Sequence, residues 1–175
     1  MTEDVIRNRE EMFEQLEALK ALQWNISADK LPDNFRVEDI ANGRMQYTPK
    51  EFQEFINLFS VCANQEDTVW FLSAKDYQNT DESAFAWNEF EKQSLEYAEN
   101  DNERNKVSEF WKAHLPFLIS VKNGYEYLAI GIAKHNFGNI YRGYEPMYEE
   151  TELIASSFSE FKQQYIDDCA SHSNS

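Results

Sequence analysis

The run Phe117-Leu118-Ile119-Ser120-Val121, then Lys122-Asn123-Gly124, then Tyr125-Glu126-Tyr127-Leu128-Ala129-Ile130-Gly131-Ile132, decides the fold. Both flanking segments are rich in β-branched and aromatic residues. Asn-Gly between two such runs is the preferred type I′ turn of a β-hairpin. Residues 139–144 read as a third strand behind the turn residues 136–138, and Leu153-Ile154-Ala155 as a short fourth. Upstream, Thr68-Val69-Trp70-Phe71-Leu72 reads as a short buried strand. Strands linked by hairpins are antiparallel, so the class is α+β, with a central antiparallel sheet and helices packed around it.

The helices announce themselves by period and capping. Residues 3–23 carry Val5, Met12, Leu16 and Leu19 on one stripe, with Phe13 and Leu22 beside it, a face that docks on the body. Residues 25–34 read as a loop with Pro32 and Asp33 as turn residues. Residues 35–47 fit either a short helix ended by Asn42-Gly43 or a hairpin turned there. Thr48-Pro49-Lys50-Glu51 is a helix start, with Thr48 as cap and Glu51 closing a capping box. Phe52, Phe55, Ile56 and Phe59 then form a core-facing stripe. Ser157-Phe158-Ser159-Glu160 opens a last helix, with Phe158, Phe161, Tyr165 and Cys169 on one face. Residues 171–175 read as a frayed polar tail.

Between these lies a segment of different character. Residues 76–103 hold nine acids against Lys92 alone, a net −8 within a chain of net −16. A helix is expected from about Glu82 to Glu99, with Ala86, Phe90 and Tyr97 on one side. A second runs through Val107, Phe110 and Trp111 and stops before Pro116. The whole chain reads as one domain over residues 1–170, with residues 76–112 an acidic helical insert.

Composition excludes several function classes. With 16 Lys+Arg against 32 Asp+Glu, the chain repels phosphate, so nucleic acid and anionic membrane are poor partners. No window approaches ~18 apolar residues. The start, Met1-Thr2-Glu3-Asp4-Val5, lacks the basic and apolar regions of a signal peptide. Cys62 and Cys169 form no paired motif and read as reduced thiols. These features lead us to expect a cytoplasmic protein. His114, His135 and His172 have no partner at metal-ligand spacing, and His114 is placed where an imidazolium would favour a helix end. There is no phosphate-binding glycine loop and no nucleophile motif, so no metal, cofactor or catalytic residue is expected. The abundance of carboxylates means that proximity of two of them singles out no acid–base pair.

Leu115-Pro116-Phe117 leads into the hairpin, followed by Tyr125 to Ile130, then Gly138-Asn139-Ile140-Tyr141, and finally Ile154-Ala155-Ser156-Ser157-Phe158-Ser159-Glu160-Phe161. This order resembles the SUKH superfamily over roughly residues 111–166, about a third of the chain. Leu31-Pro32-Asp33-Asn34-Phe35 is similar to that family's early segment. The resemblance implies an α+β domain without enzyme activity or cofactor. It implies an immunity protein that binds and neutralises a cognate bacterial toxin. The alternative is a regulatory interaction module like the fungal regulators of cell-wall glucan synthesis, which carry long disordered arms that are not evident here. An acidic surface suits a basic partner, such as a toxin domain with a phosphate-binding cleft. Acids interleaved with aromatics are the candidate contact residues: Asp81, Glu82, Trp87, Glu89 and Glu91, and Glu149, Glu150 and Glu152 beside Glu145 and Tyr148.

If the two phenylalanine stripes are core, Phe55→Ala and Phe161→Ala each cost ~3–5 kcal/mol of stability. Thermal and denaturant unfolding measure this, and near-native melting of either variant contradicts its assignment.

Overall fold

The computed structural model describes residues 3–28, 36–78 and 86–173, and in these, seven strands cross one antiparallel sheet in chain order. The strands are β1 (Asn25–Ser27), β2 (Val61–Ala63), β3 (Val69–Phe71), β4 (His114–Ser120), β5 (Glu126–Gly131), β6 (Ile140–Tyr144) and β7 (Glu152–Ala155). The helices are α1 (Glu3–Ala21), α2 (Lys50–Ile56), α3 (Ala74–Gln78), α4 (Glu89–Tyr97), α5 (Asp101–Lys112) and α6 (Phe158–Ser173). The α+β class and the antiparallel sheet are as the hairpin residues predict.

The central strands β4 and β5 are buried on both faces, which makes them near-continuous apolar runs. On one face lie α1, α2 and α6. There Phe55 meets Phe71 at 5.4 Å and Phe158 at 5.2 Å, and Phe117 meets Phe161 at 5.3 Å, all edge-on. Edge-to-face aromatic pairs favour ring quadrupoles as well as burial. The stripe Phe52, Phe55, Ile56 and Phe59 is fully buried, as are Phe158 and Phe161. Met12, Leu16 and Leu19 dock α1 on this layer, while Phe13 stays half-exposed on its outer side.

The opposite face is covered by α4 and α5. Tyr127 of β5 packs against Phe90 and Trp111, each at 5.2 Å, and Trp87 joins through Tyr77. The segment read as an insert is therefore one of the two helical layers. Trp87, Phe90 and Trp111 pack in its core, while Glu96, Glu99, Asp101 and Glu103 are exposed.

Several local expectations need correction. Residues 25–27 form the edge strand β1, paired with β2 from Asn25↔Ala63 to Ser27↔Val61, and not part of a loop. Residues 37–47 are two short 3-10 segments, with Asn42 and Gly43 at φ 55° and 81°, so the helical alternative holds and the hairpin does not. Thr48 does not cap α2: its hydroxyl donates to Met45 O at 2.7 Å, and Glu51 accepts from Ser159 Oγ at 2.6 Å. The Asn123-Gly124 turn is not type I′. Ser120↔Glu126 is the last ladder pair, Gly124 has φ +92°, and Asn123 keeps a negative φ. Tyr97 is 82% exposed, whereas Ala86 and Phe90, read on the same side of the helix, are buried. Helix α6 continues to Ser173, through most of the expected tail. The capping box at its start is present in part, with Glu160 N donating to Ser157 Oγ at 3.1 Å.

His114 begins β4 at the end of α5, where Nδ1 bonds Phe110 O at 2.7 Å. Burial lowers its pKa, so the imidazole is held neutral and satisfies a helix-end carbonyl as an uncharged donor. Pro116 lacks an N–H, and β4 accommodates it at a bulge, where the register shifts between Pro116 and Leu118.

Gly143 faces Tyr127 directly across the β5–β6 ladder, and a Cβ there would lie 2.5 Å from the Tyr127 ring. We expect Gly143→Ala to lose ~1–3 kcal/mol or more through overpacking, because the ring is buried and cannot move aside. Gly138→Ala, whose added carbon meets nothing closer than 3.8 Å, carries only the smaller cost of a positive φ. Equal losses in chemical denaturation would show that Gly143 is not a packing requirement.

Candidate functional site

The side of the sheet covered by α4 and α5 also holds a groove of about 750 Å³. It lies between these two helices and the segment 145–150 that joins β6 to β7. That segment is fixed from below. The Tyr127 hydroxyl donates to Tyr148 O, and the Tyr148 ring packs on Phe90 at 4.7 Å. It is fixed at its start by Glu145, whose Oε1 accepts from Tyr125 N at 3.0 Å. Gly124 permits this approach, because a Cβ at that position would lie 2.7 Å from the same oxygen.

Glu149 forms the charged floor. Its Oε2 accepts from Ser94 Oγ of α4 at 2.8 Å and from Trp111 Nε1 of α5 at 3.2 Å. Burial raises its pKa above the ordinary carboxylate value, and these two donors pull it part of the way back. Tyr148 is pushed up to about 12, first by burial and then by nearby groups including Glu145. The walls are apolar and exposed: Tyr97, Met147 at 55%, and Tyr125 at 39%. Glu103, Glu145 and Glu149 contribute three carboxylates, and Lys106 is the sole cation among the described lining residues. Such a surface offers flat apolar faces around a partly desolvated anion. It can hold a cationic or N–H-donating group.

The candidate contact residues divide sharply. Asp81 and Glu82 lie outside the described residues. Trp87 is 4% exposed, with the Arg44 guanidinium 5.6 Å from its ring centre, so it is a core residue with no face for a partner. Glu91 is held by Arg44 through two bonds of 2.8 and 3.1 Å, with both side chains mostly buried. It stabilises the junction between the 3-10 segments and α4. Glu89 is half-buried and accepts from Gln93 at 3.3 Å. Glu152 is exposed on β7 and accepts from Arg142 at 3.2 Å. Glu150 is exposed beside the groove. Among the described candidate acids, Glu149 lines the groove, as does the neighbouring Glu145.

Sequence reasoning missed Tyr97, Tyr125, Met147, Ser94 and Glu103. A usable signal exists in Tyr144-Glu145-Pro146-Met147-Tyr148-Glu149-Glu150, a connection dense in aromatics and acids where a connection is ordinarily small and polar. Among the described residues, no group of three or more His, Cys, Asp and Glu is placed to hold a metal ion, and no helix is long and apolar enough to cross a membrane. Comparison of the chain with protein-family models, curated proteins and solved structures yields no match.

The raised pKa of Glu149 has a definite sign. The folded state binds this proton more tightly than the unfolded chain, so the stabilisation is full below the unfolded pKa and is lost as pH rises through the folded one. Glu149→Gln removes that dependence. Native minus variant stability is expected to fall as pH rises from the ordinary carboxylate range to the raised value, and then to level off. Urea unfolding at a series of pH values measures it, and a flat or rising difference contradicts the assigned environment.

Proposed function

We propose that the protein is a non-enzymatic binding protein for a basic protein partner, acting as an immunity protein that occupies the active-site cleft of a bacterial toxin domain in the cytoplasm. The observation that carries this reading is the groove beside α4 and α5, which joins exposed Tyr97, Tyr125 and Met147 to a carboxylate floor. Aromatic and methionine side chains are the residues that interfaces concentrate, and a central anchor cluster supplies most of the binding energy. The net charge of −16 supports the choice of partner. A field of that sign steers a basic cleft into encounter and repels nucleic acid from the same surface. The sequence resemblance to the SUKH superfamily supports the immunity role. A toxin cleft built for phosphate presents the complementary charge.

The test is capture of the product of the neighbouring gene, followed by binding kinetics across a salt series. Between 0.1 and 1 M salt the Debye length falls from ~10 to ~3 Å, so association should slow sharply. Glu96, Glu99 and Glu150 are exposed sequence neighbours of the groove lining, and their joint reversal to Lys should reduce the association rate ~10-fold or more, with less effect on dissociation. Association that ignores both salt and the triple reversal would place the interface elsewhere and leave the charge a solubility device.

A further inference from the structure

We propose that the groove between α4, α5 and the segment 145–150 is a receptor for one arginine side chain of that basic partner, with Glu149 as its carboxylate and Tyr97, Tyr125 and Met147 as its walls. This rests on the reading above and specifies its chemistry. Among the described residues, the side-chain bonds that Glu149 accepts from Ser94 and Trp111 both end on Oε2, so Oε1 is not used by either, and the residue lines the groove. The carboxylate is half-buried, so only a long side chain brings a donor to it. An N–H bond to such an anion is stronger than at an open surface, because water competes less and the local dielectric is lower. The nearby Glu103 and Glu145 are partly engaged: Glu103 Oε2 accepts from Glu99 N at 2.7 Å, and Glu145 Oε1 from Tyr125 N at 3.0 Å. They add negative potential at the rim without competing for the floor.

Arginine fits better than lysine for two reasons. A guanidinium is weakly hydrated, so less solvation is lost on entry. It is also planar and stacks on aromatic faces, which two tyrosines here supply. In the hollow of about 360 Å³ by α6, by contrast, Glu126 is already paired with Arg142 at 2.5 Å.

The probe is acetyl-arginine methylamide, titrated into the full chain and followed by the Trp111 indole N–H resonance. That proton bonds Glu149, and the other three tryptophans serve as internal controls. The arginine derivative is expected to shift the Trp111 signal saturably. The neutral isostere acetyl-citrulline methylamide should leave it unmoved, and acetyl-lysine methylamide should bind more weakly. Glu149→Gln keeps an acceptor for Ser94 and Trp111 but removes the charge, and should weaken the arginine probe about tenfold. Tyr97→Ala, at an exposed position that does not bear on folding, should weaken it several-fold. Equal response to citrulline, or an unchanged titration in Glu149→Gln, overturns the assignment. The two levels fail separately. A basic partner that binds with salt-dependent association while the arginine probe leaves Trp111 unmoved removes the arginine receptor and keeps the basic-partner reading. A probe that binds as expected, with no basic protein captured, supports the receptor and removes the toxin reading.

Discussion

Tyr127 stands on the sheet face covered by α4 and α5, opposite Gly143, which offers it no side chain. That vacancy on β6 lets the ring lie flat enough to meet Phe90 and Trp111 and to pass its hydroxyl to Tyr148 O. One residue thus joins the sheet, both acidic helices and the connection from β6 to β7. The hydroxyl is buried, and burial raises its pKa further beyond the ordinary tyrosine value. It acts as a donor, and Tyr148 O as its acceptor. Without this anchor the segment 145–150 would lose its bond to the sheet beneath it and would be held over α4 and α5 only by Glu149, the Tyr148 ring and Glu145.

The two helical layers solve different problems. Around α2 and α6 the core is a mesh of phenylalanines, with Lys162 the buried exception. Its ammonium lies 5.5 Å from the Phe55 ring and 5.3 Å from Phe158. Burial lowers its pKa, while Glu51 and Glu11 oppose that shift. Around α4 and α5 the chain must bury aromatics while carrying many like charges. It does so by geometry. The inward stripe takes Phe90, Val107 and Trp111, and Glu96, Glu99, Asp101, Glu103 and Glu109 stand at exposed positions. Self-repulsion remains, and Arg44 offsets part of it by engaging Glu91 in a mostly buried pair. Removing either partner of such a pair strands a charge, which costs more than the pair contributes.

What was legible in the sequence follows from how local each signal is. The Phe52 and Phe158 stripes are helical repeats of large side chains, which have few alternatives to burial. The β4–β5 hairpin is read from two apolar runs that only a sheet can use. The three residues of β1 are polar enough to pass for a loop, and only β2 across the ladder makes them a strand. The Asn123-Gly124 pair misleads because the type I′ preference is a local prior. Here the side chain of Glu145, distant in sequence, sets the loop by bonding Tyr125 N. Tyr97 misleads for a related reason. It continues the α4 period, but the helix ends there, and its ring is left 82% exposed.

The same distinction governs the functional site. Charge density along the chain is local information, and it points to residues 76–103. Whether a carboxylate is available to a partner depends on what already bonds it, and that is long-range information. Glu91 is committed to Arg44 and Glu152 to Arg142, although both are as acidic in sequence as Glu149. Glu149 is itself bonded, yet both bonds fall on one oxygen and come from neutral donors, so its charge is not cancelled. An uncancelled charge held at a fixed position, beneath exposed aromatics and out of bulk water, discriminates between partners in a way that a larger number of solvated acids cannot. Solvated acids raise the encounter rate of any basic protein. A partly buried one rewards only the partner that brings a cation to that point.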